Sequence, residues 1–182
     1  MSLLLNSKIG NNWVLGLGIA FLVPFPCWGE SLLTAKPTDP QGLISTYITP
    51  YDVGAGHLEC LKLVSSARKS IKLAAYGFTD LALTKELIEA KNRGVDVKIL
   101  MDSTQAAGRN QKRCVQQLKN AGMIVQIGKS PNKNQLLHAK FIVVDHTWVL
   151  SGSWNFSGQS ANAQFNEIDI IKSEMRARMF EE

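Results

Sequence analysis

Between His138 and Glu167 the chain gathers an imidazole, an ammonium, a hydroxyl, a carboxamide and two carboxylates. His138-Ala139-Lys140 sets histidine and lysine two apart, so on a strand both side chains leave from one face. Asp145 follows five residues after the lysine. Ser153 and Asn155 are again two apart, and Asn166-Glu167 opens a later strand. Such a set suits attack on a phosphodiester, an anion that repels nucleophiles. Lys140 can neutralise a nonbridging oxygen while Ser153 and Asn155 donate hydrogen bonds to it. Preorganised donors of this kind contribute about 2.7–4 kcal/mol each. His138 can attack phosphorus and form a covalent intermediate. Glu167 or Asp145 can bond its other ring nitrogen and fix the tautomer. The leaving oxygen needs a proton, so a second histidine is wanted as general acid.

These residues resemble a known family. His138-x-Lys140-x-x-x-x-Asp145 is similar to the HxKxxxxD signature of the phospholipase D superfamily. Gly152-Ser153-Trp154-Asn155-Phe156 resembles its GSxN segment, and Asn166-Glu167 its following acidic strand. The series of elements ahead of the motif is similar in order and length to the small bacterial endonucleases of that superfamily. The resemblance covers roughly Gly42 to Ile171. It implies that His138 is the nucleophile in one copy and the general acid in another. It implies that Lys140 and Asn155 hold the phosphate, with Ser153 assisting, and that Glu167 orients a histidine. Asp145 looks more like a structural partner at the turn. The resemblance implies no metal and no cofactor.

Larger members of the family carry two such motifs, and this chain carries one. That implies a homodimer in which His138 from both subunits shares one site on a two-fold axis. The reading is a sequence-nonspecific endonuclease acting on DNA, and on RNA as a further nucleic-acid substrate. The enzyme alternative is a phospholipase D acting on phospholipid headgroups. The alternative of a different class is a noncatalytic nucleic-acid-binding module on the same fold.

Charge is consistent with an anionic partner. The 182 residues carry a net charge of +5. From Lys85 to Lys140 there are 11 basic and 4 acidic residues. Arg109, Lys112 and Arg113 cluster at the start of a helical stretch, and Lys129 and Lys133 precede His138. The plain alternative is a set of solvated helix faces. Three cysteines are too few for a disulfide scaffold, and none lies in a CxxC pair of the kind that holds structural zinc.

The elements that must position these groups read as alternating strands and helices. Strands are expected at Leu43–Ile48, Ser70–Tyr76, Val95–Met101 and Met123–Ile127, from β-branched and apolar runs. Helices are expected at Gly56–Arg68, from a cap at Thr79 or Asp80 to Asn92, and at Gln111–Asn120. Leu136–Val144 and Thr147–Leu150 form a hairpin through Asp145-His146. A polar loop covers Ser153–Gln164, a strand Asn166–Ile171 and a helix Glu174–Glu182. The expected fold class is α/β: a mixed, mostly parallel β-sheet flanked by helices on both faces, phospholipase D/nuclease-like, in one domain.

Residues 1–29 read as an export signal with an uncleaved anchor as the alternative, 30–42 as a linker and 43–182 as the phospholipase D-like nuclease domain. Lys8, the apolar run Trp13–Val23 and the small residues around Trp28 carry that reading. Its consequence is a periplasmic or secreted protein, or a membrane-tethered one if the leader stays. Cys60 and Cys114 would then meet an oxidising compartment; separate buried thiols are the favoured reading and a pair the other. His57 and His146 read as a surface or cap residue and a solvated turn residue. Trp154 and Phe156 read as packing residues in preference to base-stacking platforms.

Overall fold

The computed structural model describes residues 41, 43–52, 54–128 and 136–182. The leader, most of the linker and the lysines at 129 and 133 lie outside the described residues. One compact unit spans Thr38–Glu182.

Seven strands form one sheet: β1 (Ile44–Thr49), β2 (Ser70–Ala75), β3 (Asp96–Asp102), β4 (Val125–Gly128), β5 (Lys140–Val144), β6 (Trp148–Gly152) and β7 (Asn166–Lys172). Their order is β1-β7-β6-β5-β2-β3-β4. β2 is an interior strand beside the central β5, parallel to β3 and antiparallel to β5. Apart from a half-buried Lys72 its residues are all buried, which accounts for its nearly continuous apolar run.

The sheet is mixed, as expected, but its parallel part is smaller than expected. Only β2-β3 and β3-β4 pair in parallel, and the other four ladders are antiparallel. β1 runs in the direction of β2, yet β7, β6 and β5 stand between them. An alternating strand–helix pattern shows direction but not which late strands insert between early ones.

Helices cover both faces, as expected. α1 (Ala55–Ser66), α2 (Leu81–Asn92) and α4 (Arg109–Asn120) pack over the main core, where Cys60, Val64, Leu83, Leu87, Cys114 and Leu118 meet alternate strand residues. Asp80 caps α2 by accepting from the Leu83 amide at 3.0 Å. A cap of this kind is worth about 1 kcal/mol. Gly94, at φ 91°, ends the turn that follows α2. On the other face, α6 (Glu174–Glu181) seats Ala177 and Phe180 on Val143, Val149 and Phe141.

Two short helices were not expected, the second lying within the expected polar loop Ser153–Gln164. α3 (Ser103–Ala106) is started by the Asp102 carboxylate, and α5 (Gly158–Ala163) by the Ser157 hydroxyl. Neither has an apolar stripe long enough to announce itself. Cys60 and Cys114 are free buried thiols on α1 and α4. Burial pushes the Cys60 thiol far up. Among the described residues, no helix is long and apolar enough to cross a membrane.

Candidate active site

One end of the sheet collects the C-terminal ends of β2, β3 and β6 and the N-terminal ends of β5 and β7. Lys140 starts β5 there, opposite Ala75 of β2. It is 9% exposed. Its Nζ donates to the His138 carbonyl at 2.9 Å and lies 5.2 Å from the centre of the Tyr76 ring. Among the described residues no carboxylate neutralises it. Burial lowers its pKa. A buried ammonium without a carboxylate beside it is costly alone and would be stabilised by an anion.

His138 is exposed, two residues before β5 begins. The expected strand there starts four residues late, so the histidine and lysine are not set by strand alternation. Other contacts fix them. The Tyr76 amide donates to the Ala139 carbonyl at 2.9 Å. The Tyr76 ring packs on the His138 imidazole with centroids 4.6 Å apart. The Leu137 amide donates to Asp102 Oδ2 at 2.9 Å. Asp102, 1% exposed, also accepts from the Thr104 and Gln105 amides through Oδ1. Burial acts to raise its pKa, but these bonds hold its carboxyl below the usual range. Asp102 and Tyr76 therefore position the histidine segment. The acidic end of an apolar strand was a visible signal for Asp102; nothing local marked Tyr76.

The segment after β6 supplies Asn155. Gly152 sits at φ 147°, and a Cβ there would lie 2.1 Å from the Glu167 carbonyl oxygen. Only glycine lets β6 approach β7 so closely. Trp154 and Phe156 are buried against His57, Phe78 and each other, so they pack the core as expected. The Thr79 and Asp80 amides donate to the Phe156 carbonyl at 2.8 and 3.1 Å. That anchorage fixes Asn155 between them and the sheet. Asn155 Oδ1 is buried without a hydrogen-bond partner. Asn155 and Tyr76 line one cleft of about 360 Å³.

Three expected roles need correction on geometry. Ser153 Oγ donates to Asn166 Oδ1 at 3.2 Å and accepts from the Glu167 amide at 3.0 Å. In this structure its proton goes to Asn166, joining β6 to β7. Glu167 pairs across the ladder next to Ile168, which shares the Lys140 face, so Glu167 faces the opposite way. Its exposed carboxyl hydrogen-bonds Asp169, and that bond and the like charge raise its pKa. It does not orient His138 of its own chain. The residue beside it, Asn166, is the one that turns inward, donating to the Ser160 carbonyl at 2.9 Å.

Asp145 lies at the far end of β5 from Lys140, about 16 Å away at about 3.3 Å per residue. It is not a group at the reacting end. Asp145 and His146 form the hairpin turn at φ 53° and 58°. The Asp145 carboxylate accepts from the Arg68, Lys69 and Ser70 amides at 2.9, 2.7 and 2.9 Å. Burial pushes its pKa up, but those amides outweigh it and hold it low.

The remaining histidines are both engaged. His57 Nε2 lies 2.7 Å from Asp80 Oδ2, half-buried against Trp154, not at the surface as expected. Its hydrogen bond to Asp80 raises its pKa. His146 is exposed but bonds Glu181 at 2.8 Å. Among the described residues, neither ring nitrogen of His138 has a hydrogen-bond partner. Among the described residues, no group of three or more His, Cys, Asp and Glu side chains could hold a metal ion.

Residues 60–182 match the family model described as "Cardiolipin synthase, PLD-like domain". A phospholipase D from Rickettsia conorii is 32% identical over 141 residues, covering 75% of this chain and 65% of the relative. Another from Rickettsia bellii is 34% identical over 109 residues, covering 60% of this chain and 52% of the relative. The chain thus spans between about half and two-thirds of these relatives. The phospholipase D family member Nuc from Salmonella typhimurium superposes with a TM-score of 0.69 at 30% identity. That match covers 75% of this chain and 88% of Nuc. NucT from Helicobacter pylori shares the fold, with a TM-score of 0.69 at 21% identity. With a family model matched over residues 60–182 and the fold of Nuc shared over 75% of its length, the chain belongs to the phospholipase D-like family.

Proposed function

We propose that this chain is a phosphodiesterase, and specifically a sequence-nonspecific endonuclease that works as a homodimer through His138. The observation that carries the reading is Lys140, a buried cation without a carboxylate, held against the backbone of an exposed histidine. A phosphodiester bound there would place one nonbridging oxygen on the ammonium. The His138 nitrogen attacks phosphorus, a P–N bond forms and the bond to the leaving oxygen breaks. That oxygen takes a proton from a general acid. Water then gives its proton to the same group, attacks phosphorus, and breaks the P–N bond to restore His138.

The general acid is the argument for two subunits. His57 is tied to Asp80 and His146 to Glu181, so the chain has no second histidine free beside His138. A two-fold axis through the exposed His138 would bring its copy there. The surplus of basic residues before the motif favours a polyanionic substrate over a lipid. The names of the Rickettsia relatives favour the second reading, hydrolysis of phospholipid headgroups.

Cleavage of supercoiled plasmid by the purified protein in excess EDTA tests the proposal, with His138→Ala as control. Nicking by the wild type alone supports it. No cleavage of plasmid, with release of headgroup from phospholipid vesicles, would replace it by the second reading. Full activity in a species that light scattering shows to be monomeric would remove the dimer.

A further inference from the structure

The cleft beside Tyr76 and Asn155 runs on to the first turn of α4, where Gly108, Arg109 and Gln111 line it. We propose that this part of the cleft is a nucleotide subsite, which takes the phosphate next to the scissile one together with the hydrogen-bond donors of its nucleoside. The inference rests on the phosphodiesterase reading and adds what lies beside the cleaved bond.

Two independent features point to such a ligand. The first is positive charge. α4 has Gly108 at its N-cap, with no side chain bonding its first amides and no acidic residue in its first turn. Unsatisfied amides and the helix dipole favour an anion there. Arg109 is exposed at that turn, and among the described residues it has no ion-pair partner.

The second feature is a pair of unused acceptors. Gln111 is 4% exposed. Its Nε2 donates to Gln105 Oε1 at 3.3 Å and to the Tyr76 carbonyl at 3.5 Å. Both partners are acceptors, so the carboxamide is fixed with nitrogen towards them. Gln111 Oε1 is left buried without a donor, as is Asn155 Oδ1. A phosphodiester anion has no proton to offer either oxygen. Base amines and sugar hydroxyls do. The cleft wall therefore asks for an anion and for donors in one ligand, and its volume of about 360 Å³ suits a small unit. A nucleotide supplies both, whereas a lipid with a single phosphate would leave the α4 terminus empty.

The test compares two diesters with the full chain. One is a short single-stranded DNA oligonucleotide; the other is bis(p-nitrophenyl) phosphate, which has one phosphate and no nucleoside. Arg109→Glu should lower the ratio of the two kcat/KM values at least tenfold. It should also weaken oligonucleotide binding by fluorescence anisotropy, with a shallower salt dependence. Lys85→Ala, an exposed charge on α2, should change neither. An unchanged ratio with unchanged binding overturns the subsite. So does a loss confined to vesicles of a two-phosphate lipid, which would assign the cleft to that lipid. If the wild type cleaves neither diester, the phosphodiesterase reading fails first, and undiminished oligonucleotide binding by Arg109→Glu then sinks the subsite on its own.

Discussion

Replacing Asp145 separates a structural from a catalytic role for the acidic member of the motif. Its carboxylate holds three consecutive amides at the start of β2. Bonds to a charged acceptor are worth about 1.5–3 kcal/mol each. Arg68 and Lys69 are exposed, so water can serve two of those amides once the carboxylate is gone. Ser70 is buried, and its amide pays the full loss. Alanine at φ 53° adds about 1 kcal/mol of backbone cost. Asp145→Ala should therefore cost about 3–5 kcal/mol in total, given bonds of this strength. Asp145→Asn keeps one acceptor oxygen and tolerates the left-handed turn, so about 1–2 kcal/mol is expected. At about 4 °C per kcal/mol, the alanine variant should melt roughly 12–20 °C lower and the asparagine variant roughly 4–8 °C lower. Both should keep wild-type turnover per folded molecule, because Asp145 is remote from Lys140. Thermal melts alongside activity at a temperature where all three are folded decide it. Wild-type melting with lost turnover in Asp145→Asn would refute the clamp and return Asp145 to the reacting end.

Asp102→Ala should both destabilise the fold by about 2–4 kcal/mol, from an unsatisfied buried cap, and lower kcat by releasing the Leu137 amide; intact kcat would show that the histidine segment holds itself. Gly152→Ala has to displace the β7 backbone and should cost at least about 3 kcal/mol or prevent folding, read by chemical denaturation. The His57–Asp80 pair gives a pH signature. The histidine pKa is raised, so its contribution is complete below about pH 6.5 and is lost as pH rises through the raised value. His57→Gln should flatten that decline in Tm; an unchanged slope would exclude the pair as its source. On the acid side, the lowered Asp102 and Asp145 lose their contribution as pH falls below about 3.9 through their folded values.

How much of this could be read from the residues depends on range. That His138, Lys140 and Asn155 gather at one end of the sheet was legible because their spacing falls within one short stretch. The hairpin at Asp145-His146 was legible for the same reason, and so was the α2 cap at Asp80. The inversion of Glu167 was not. Its strand was correctly expected, but which face a strand residue shows depends on register with β6, and a shift of one residue reverses it. Asn166, one position earlier, is the inward residue. The parallel content was overstated because β1 is separated from β2 by three strands that come later in the chain. Tyr76 was invisible as a site residue, since only folding brings the end of β2 against the start of β5. The bonds of Ser153 to Asn166 and Glu167 were not legible either, because a hydroxyl's partners cannot be known until β7 is beside it.

The account turns on His138 as the group that bonds phosphorus. The direct measurement is mass spectrometry of the protein quenched with base during turnover of a short oligonucleotide, where a phosphohistidine survives. The account predicts a nucleotide joined to His138 through a phosphoramidate P–N bond, absent from His138→Ala and trapped more weakly in Lys140→Met. Steady turnover with no adduct on His138, or with the adduct on another residue, would contradict it.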